Sequence, residues 1–157
     1  MARQVKQMRS SFIVYDDRLV GQISPEMFSL NYWPDADVVP GYSGGRGATL
    51  FVSNDGSDWV LKHYHRGGLV GRMFDDGFIW TNLERARSVV EMDVLAAMSK
   101  FGLPVPIPVA AHVVCRGFVY TADLITARIP DVIPFSDRIK NEPAGAAIWT
   151  NVGKCIA

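Results

Sequence analysis

The sequence predicts an α+β domain in which antiparallel strands surround one long helix. Three observations lead there. Gly41, Gly44, Gly45 and Gly47 stand between two extended segments rather than between a strand and a helix. Asn54-Asp55-Gly56-Ser57 is turn chemistry between two apolar-rich runs, which reads as a hairpin. A helical stretch beginning near Thr81 is closed by Gly102 and Pro104.

Taken in order, Ser11 to Tyr15 reads as a short strand, and the segment ending in Tyr32-Trp33 runs into the loop Pro34-Asp35-Ala36-Asp37. Val38-Val39 leads into the glycine segment, and Ala48 to Val52 forms the next strand. Trp59 to Tyr64 follows as its hairpin partner, with Val60, Lys62 and Tyr64 on one face and Trp59, Leu61 and His63 on the other. His65 to Phe74 is broken by glycines and basic, and Phe78-Ile79-Trp80 is an apolar patch. Thr81 and Glu84 have capping-box spacing, so the helix is expected to start there and run to Lys100. Pro104, Pro106 and Pro108 exclude helix and make an extended connector. Ala110 to Cys115 and Phe118 to Ile125 form a second hairpin about Arg116-Gly117. Pro130 to Ala144 reads as irregular, and Ala146 to Ala157 as another helix.

Composition narrows the function classes. At 157 residues the chain has the length of one domain, or of one and a fragment. With 48% apolar and 20% charged residues it is globular in composition. Sixteen basic and sixteen acidic residues balance, which disfavours nucleic acid as the main partner. Cys115 and Cys155 form no CxxC pair, so neither a disulfide scaffold nor a zinc knuckle is expected, and a reducing cytoplasm fits. The first fifteen residues lack the apolar core of a secretory leader, and no stretch approaches the roughly 20 apolar residues that span a bilayer.

Three features carry chemistry. Gly44-Gly45-Arg46-Gly47 has the backbone freedom to bring N–H groups close to phosphate oxygens, and equally that of a plain turn. Lys62, among apolar neighbours, is placed either to reach a cleft or to extend to solvent. Glu91 is the most informative residue. At 3.6 residues per turn it falls among Val90, Val94, Leu95, Met98 and Phe101, and a carboxylate on an apolar face needs a cation. Lys62 is the candidate partner; an i,i+4 pair with Arg87 is the alternative. The segment from Trp59 to Phe74 carries Lys62, Arg66 and Arg72 with no acid among them, which suits either an anionic acceptor or a solvated basic loop. His112 reads as structural.

The order of glycine loop, strand lysine, helix glutamate, hairpin and linker resembles the N-terminal lobe of a protein kinase. The likeness narrows at Gly45-Arg46-Gly47-Ala48, at Leu61-Lys62-His63-Tyr64-His65-Arg66-Gly67-Gly68-Leu69 and at Leu83-Glu84-Arg85-Ala86-Arg87. It continues at Gly102 to Ala110 and at Tyr120 to Thr126. These stretches resemble the 3-deoxy-D-manno-octulosonic acid (Kdo) kinases of Gram-negative bacteria.

The resemblance implies ATP-dependent phosphorylation of a Kdo sugar of the lipopolysaccharide inner core, at the cytoplasmic face of the inner membrane. It implies that Gly44, Gly45, Arg46 and Gly47 cover the ATP phosphates, that Lys62 contacts them and that Glu91 anchors Lys62. Asp123, Leu124 and Ile125 would lie near the adenine-holding hinge. Arg66 and Arg72 would face a Kdo–lipid A acceptor and, with Phe74, Phe78 and Trp80, an anionic bilayer. Residues 1–126 would form the kinase-like N-terminal lobe, and 127–157 the linker and first helix of a C-terminal lobe. Mg²⁺ is implied, but no Asp in the chain has the Asn five residues later that a kinase catalytic loop requires, so the general base and the metal ligands are not expected among these residues. Phosphotransfer by the 157 residues alone is therefore not expected. The alternatives are a non-catalytic module that binds anions or membrane surfaces, and a heptose or small-molecule kinase of the same fold.

Overall fold

In the computed structural model, which describes residues 2–34, 37–39, 49–64, 77–133, 135–141 and 145–156, the alternation of apolar residues along the strands is resolved into two cores. The strands are β1 (Arg3–Met8), β2 (Ser11–Asp16), β3 (Asp37–Val39), β4 (Thr49–Asn54), β5 (Ser57–His63), β6 (Phe78–Ile79), β7 (Pro108–Arg116) and β8 (Val119–Ala127). They form one antiparallel sheet in the order β1-β2-β7-β8-β5-β4-β3, and β6 pairs with β8 beyond the end of β5. The helices are α1 (Arg87–Lys100), α2 (Phe135–Asn141) and α3 (Ala146–Ile156).

Both long hairpins follow from their turn residues. Asp55 and Gly56 have φ of 46° and 77°, the left-handed pair of a two-residue hairpin loop whose twist matches that of the strands. At the β7–β8 turn Gly117 alone is left-handed, with φ of 64°.

Because side chains alternate along a strand, each central strand feeds both faces. Ile13, Leu61, Trp59, Val109 and Ile125 join Val20, Ile23, Met27 and Trp33 in one core. The segment that covers this face carries short 3₁₀ turns at Pro25–Phe28 and Leu30–Tyr32, and Trp33 Nε1 donates to the Met27 carbonyl at 2.9 Å. Val14, Tyr64, Ala111, Val113, Ala122 and Leu124 join Ala86, Val89 and Met92 of the α1 region in the other core.

The helix differs from expectation at its start and in its rotation. Asn82, not Thr81, is the cap: its side chain accepts from the Arg85 N–H at 3.0 Å and closes a 3₁₀ turn at Leu83–Arg85. Extended backbone at Ala86 (ψ 135°) separates that turn from α1. The first N–H of α1, that of Arg87, donates to the Tyr120 hydroxyl at 3.0 Å, so the helix is capped from the sheet. Tyr120→Phe is expected to cost about 1 kcal/mol in urea unfolding, the usual worth of a cap; an unchanged midpoint would show that the N–H finds another acceptor.

The face turned to the sheet is Ser88, Val89 and Met92, with Leu95 beside them. Val90, Val94 and Phe101, which the wheel placed inward, are exposed. Apolar residues are spread round this helix, so the wheel alone does not say which of them meet the sheet.

Strands β1 and β6 and helix α2 escape the sequence reading. Strand β1 is almost wholly exposed and so has no burial pattern; it is held by its antiparallel ladder to β2, and its Arg3 guanidinium meets Glu84 at 2.8 and 3.0 Å. Helix α2 lies in the stretch read as irregular, and its Phe135 packs edge-on to Trp149 of α3 at 5.4 Å. Trp80 stacks on Phe12 at 5.8 Å, and Phe78 packs on Tyr120 at 5.5 Å, so each of these half-buried rings turns one face to the core under α1. Phe74 lies outside the described residues.

Candidate active site

Strand β5 is locked between β4 and β8, with Lys62 opposite Thr49 on one side and Leu124 on the other. Leu61 and Trp59 point into one core, which turns Lys62 and Tyr64 toward α1. Burial of Ser88, Val89 and Met92 then sets Glu91 at the flank of α1, over β5. Lys62 Nζ stands 3.1 Å from Glu91 Oε1 and 3.3 Å from Oε2. The expected pairing is present, and the alternative pair with Arg87 is not: the Arg87 guanidinium lies 5.7 Å from the ring centroids of Tyr64 and Phe78.

Tyr64 was not singled out as a site residue from the sequence, and Arg87 entered only as the alternative partner of Glu91. The Tyr64 hydroxyl donates to Glu91 Oε2 at 2.5 Å, and the Tyr64 ring lies under Lys62 Nζ at 4.6 Å. Burial, reinforced by the Glu91 carboxylate, raises the Tyr64 phenol well above its ordinary value, so it stays a donor. Arg87 has no acidic partner among the described residues, so Lys62 and Arg87 bring two cations against the single carboxylate of Glu91. That excess of positive charge suits an anionic ligand. The sequence signals for Tyr64 are its shared parity with Lys62 and its place in the His63-Tyr64-His65-Arg66-Gly67-Gly68 run.

The other expected residues are placed as follows. Asp123 lies in mid-β8, 7% exposed, with Oδ1 2.5 Å from His63 Nδ1 and Oδ2 3.5 Å from His112 Nδ1. Burial pushes its carboxyl up, but His112 and His63 outweigh burial and hold it below the usual carboxylate range. His112 is structural as expected: it is buried, its Nε2 meets Ser11 Oγ at 2.8 Å, and it packs on Phe28. Leu124 and Ile125 fill the two cores, and the strand runs on to Ala127 before leaving the sheet. The side chains of Asp123, Leu124 and Ile125 are thus occupied inside the protein. Gly44, Gly45, Arg46, Gly47, Arg66 and Arg72 lie outside the described residues. Among the described residues no cluster of three or more His, Cys, Asp or Glu fits a metal ion, and no helix is long and apolar enough to cross a membrane.

An antiparallel sheet that presents a strand lysine to a helix glutamate, beside an arginine with no acidic partner among the described residues, defines an α+β domain. The chain belongs to the lipopolysaccharide kinase (Kdo/WaaP) family, which it matches over residues 31–157. It is 33% identical over 155 residues to the 3-deoxy-D-manno-octulosonic acid kinase of Vibrio parahaemolyticus, covering 98% of this chain and 65% of that protein. It is 31% identical over 144 residues to the kinase of that name from Photobacterium profundum, covering 92% of this chain and 61% of that protein. A third, from Mannheimia succiniciproducens, is 35% identical over 133 residues. The chain thus spans less than two thirds of the length of these curated relatives. No solved structure matches it.

Proposed function

We propose that this chain is the nucleotide-binding part of an ATP-dependent kinase that phosphorylates a Kdo sugar during lipopolysaccharide inner-core biosynthesis. The observation that carries the reading is the Lys62–Glu91 pair, 3.1 Å across from strand to helix, in a chain of the Kdo/WaaP family. Glu91 holds the ammonium in place, and Lys62 offers its remaining N–H to the α/β-phosphate oxygens. A cation fixed in advance stabilises charge on the phosphates without reorganising during transfer. Gly44, Gly45, Arg46 and Gly47 would close over the phosphates with backbone N–H groups, and Asp123, Leu124 and Ile125 of β8 would lie near the hinge that holds adenine. Mg²⁺ would arrive bound to the ATP phosphates.

On the acceptor side, Arg66 and Arg72 would meet the carboxylate of Kdo or the phosphates of lipid A, with the protein resting peripherally on the anionic cytoplasmic face of the inner membrane. Transfer of ³²P from ATP to a Kdo–lipid A acceptor by the full-length protein tests the reading. Arg66→Ala combined with Arg72→Ala is expected to raise KM for the acceptor several-fold and to leave KM for ATP unchanged. An equal rise for both substrates places the arginines at the nucleotide, and absence of Kdo phosphorylation by the wild type overturns the proposal.

A further inference from the structure

We infer that Tyr64 is a positioning residue that holds Glu91, and through it Lys62, in the arrangement that receives phosphate; the inference rests on the nucleotide-binding reading above. The ion pair does not hold itself. Lys62 and Glu91 side chains are 48% and 37% exposed, and a pair so open to water gains little from Coulomb attraction once two flexible chains are fixed. Tyr64 is different in kind, being only 5% exposed.

Its backbone is tied to β8, since the Tyr64 N–H donates to the Ala122 carbonyl at 3.0 Å just past the last paired residue of β5. Its ring packs in the core beneath α1, and its hydroxyl ends 2.5 Å from Glu91 Oε2. A buried phenol needs an acceptor, and Glu91 is the one it has. The bond therefore anchors the carboxylate from the core side, at a fixed point of the sheet. Oε1 remains turned to Lys62, and the same ring supports the ammonium from below at 4.6 Å. One rigid side chain thus touches both members of the pair.

The test is a double-mutant cycle on nucleotide affinity, measured by titrating the full-length protein with Mg-ATP and following bound nucleotide. Tyr64→Phe keeps the ring and removes the hydroxyl; it is expected to raise Kd about three- to tenfold, the net worth of one ordinary hydrogen bond. In a Glu91→Ala background the same substitution is expected to change Kd by less than twofold, because the route through Glu91 is already gone. Equal losses in both backgrounds make Tyr64 merely structural, and no loss in either removes it from the site; each overturns the inference. Lys62→Met is the control on the underlying reading. If it leaves Kd unchanged, the nucleotide assignment itself fails; if it weakens binding while Tyr64→Phe does not, only the role of Tyr64 fails. A Tyr64→His variant, measured in the same way with its thermal midpoint, covers the case in which the phenylalanine protein does not fold.

Discussion

Replacing Lys62 with methionine is expected to lower phosphoryl transfer by the full-length protein at least about 100-fold, the scale on which removal of one preorganised charge-stabilising donor is felt. Methionine keeps the length and the apolar stem of lysine, so the strand and its packing are preserved. What disappears is the ammonium 3.1 Å from Glu91, the cation that the fold holds on β5 facing α1. Stability should hardly change, because an ion pair this exposed is worth at most about 1 kcal/mol. Loss of rate with an unchanged thermal midpoint is therefore the signature, read from initial rates across ATP concentrations. A rate within twofold of wild type would exclude Lys62 from the phosphate site.

The second large effect is on stability. Asp123→Ala is expected to destabilise the protein by about 3 kcal/mol, because it strips a buried carboxylate from the two histidines that face it. At about 2–4 °C per kcal/mol for a domain of this size, the thermal midpoint should fall by roughly 6–12 °C. The effect has a pH dependence of known sign. The folded-state pKa of Asp123 lies below its unfolded value, so its ionised form contributes stability that is fully present above the ordinary carboxylate pKa of about 4. That contribution is lost as pH falls through the lower, folded value. Comparing thermal midpoints of wild type and Asp123→Asn from neutral pH down to about pH 3 should show the difference narrowing in acid. A difference constant with pH would mean that the ionised carboxylate is not what stabilises the cluster.

Both effects depend on strand parity, and parity is where sequence and structure agree best. The placement of Lys62 and Tyr64 on one face and Leu61, Trp59 and His63 on the other needs only the two-residue repeat of a strand. Asp55-Gly56 and Gly117 likewise specify their turns locally, because left-handed backbone is a property of single residues. The antiparallel hairpins, the proline connector and the end of α1 near Lys100 were legible for the same reason. So was the family, through runs such as His63-Tyr64-His65-Arg66-Gly67-Gly68.

What needed the tertiary structure is whatever depends on a neighbour distant in sequence. Helix α1 carries apolar residues on more than one face, and only the sheet beneath it decided that Met92 is buried while Val94 is exposed. Tyr120 caps that helix from 33 residues away, which no local capping pattern announces. Strand β1 is paired along an edge and exposed on its faces, so its hydrogen bonds come from β2 and not from a hydrophobic signal. The contacts of Phe78 with Tyr120 and of Trp80 with Phe12 likewise join residues far apart in sequence. Glu91 could be paired with Lys62 on paper, but its second partner, the buried hydroxyl of Tyr64, exists only because α1 packs on the face of the sheet to which β5 turns Tyr64. Local chemistry determined the strands, the turns and the candidate cation; long-range packing, which sequence periodicity does not encode, decided what each of them touches.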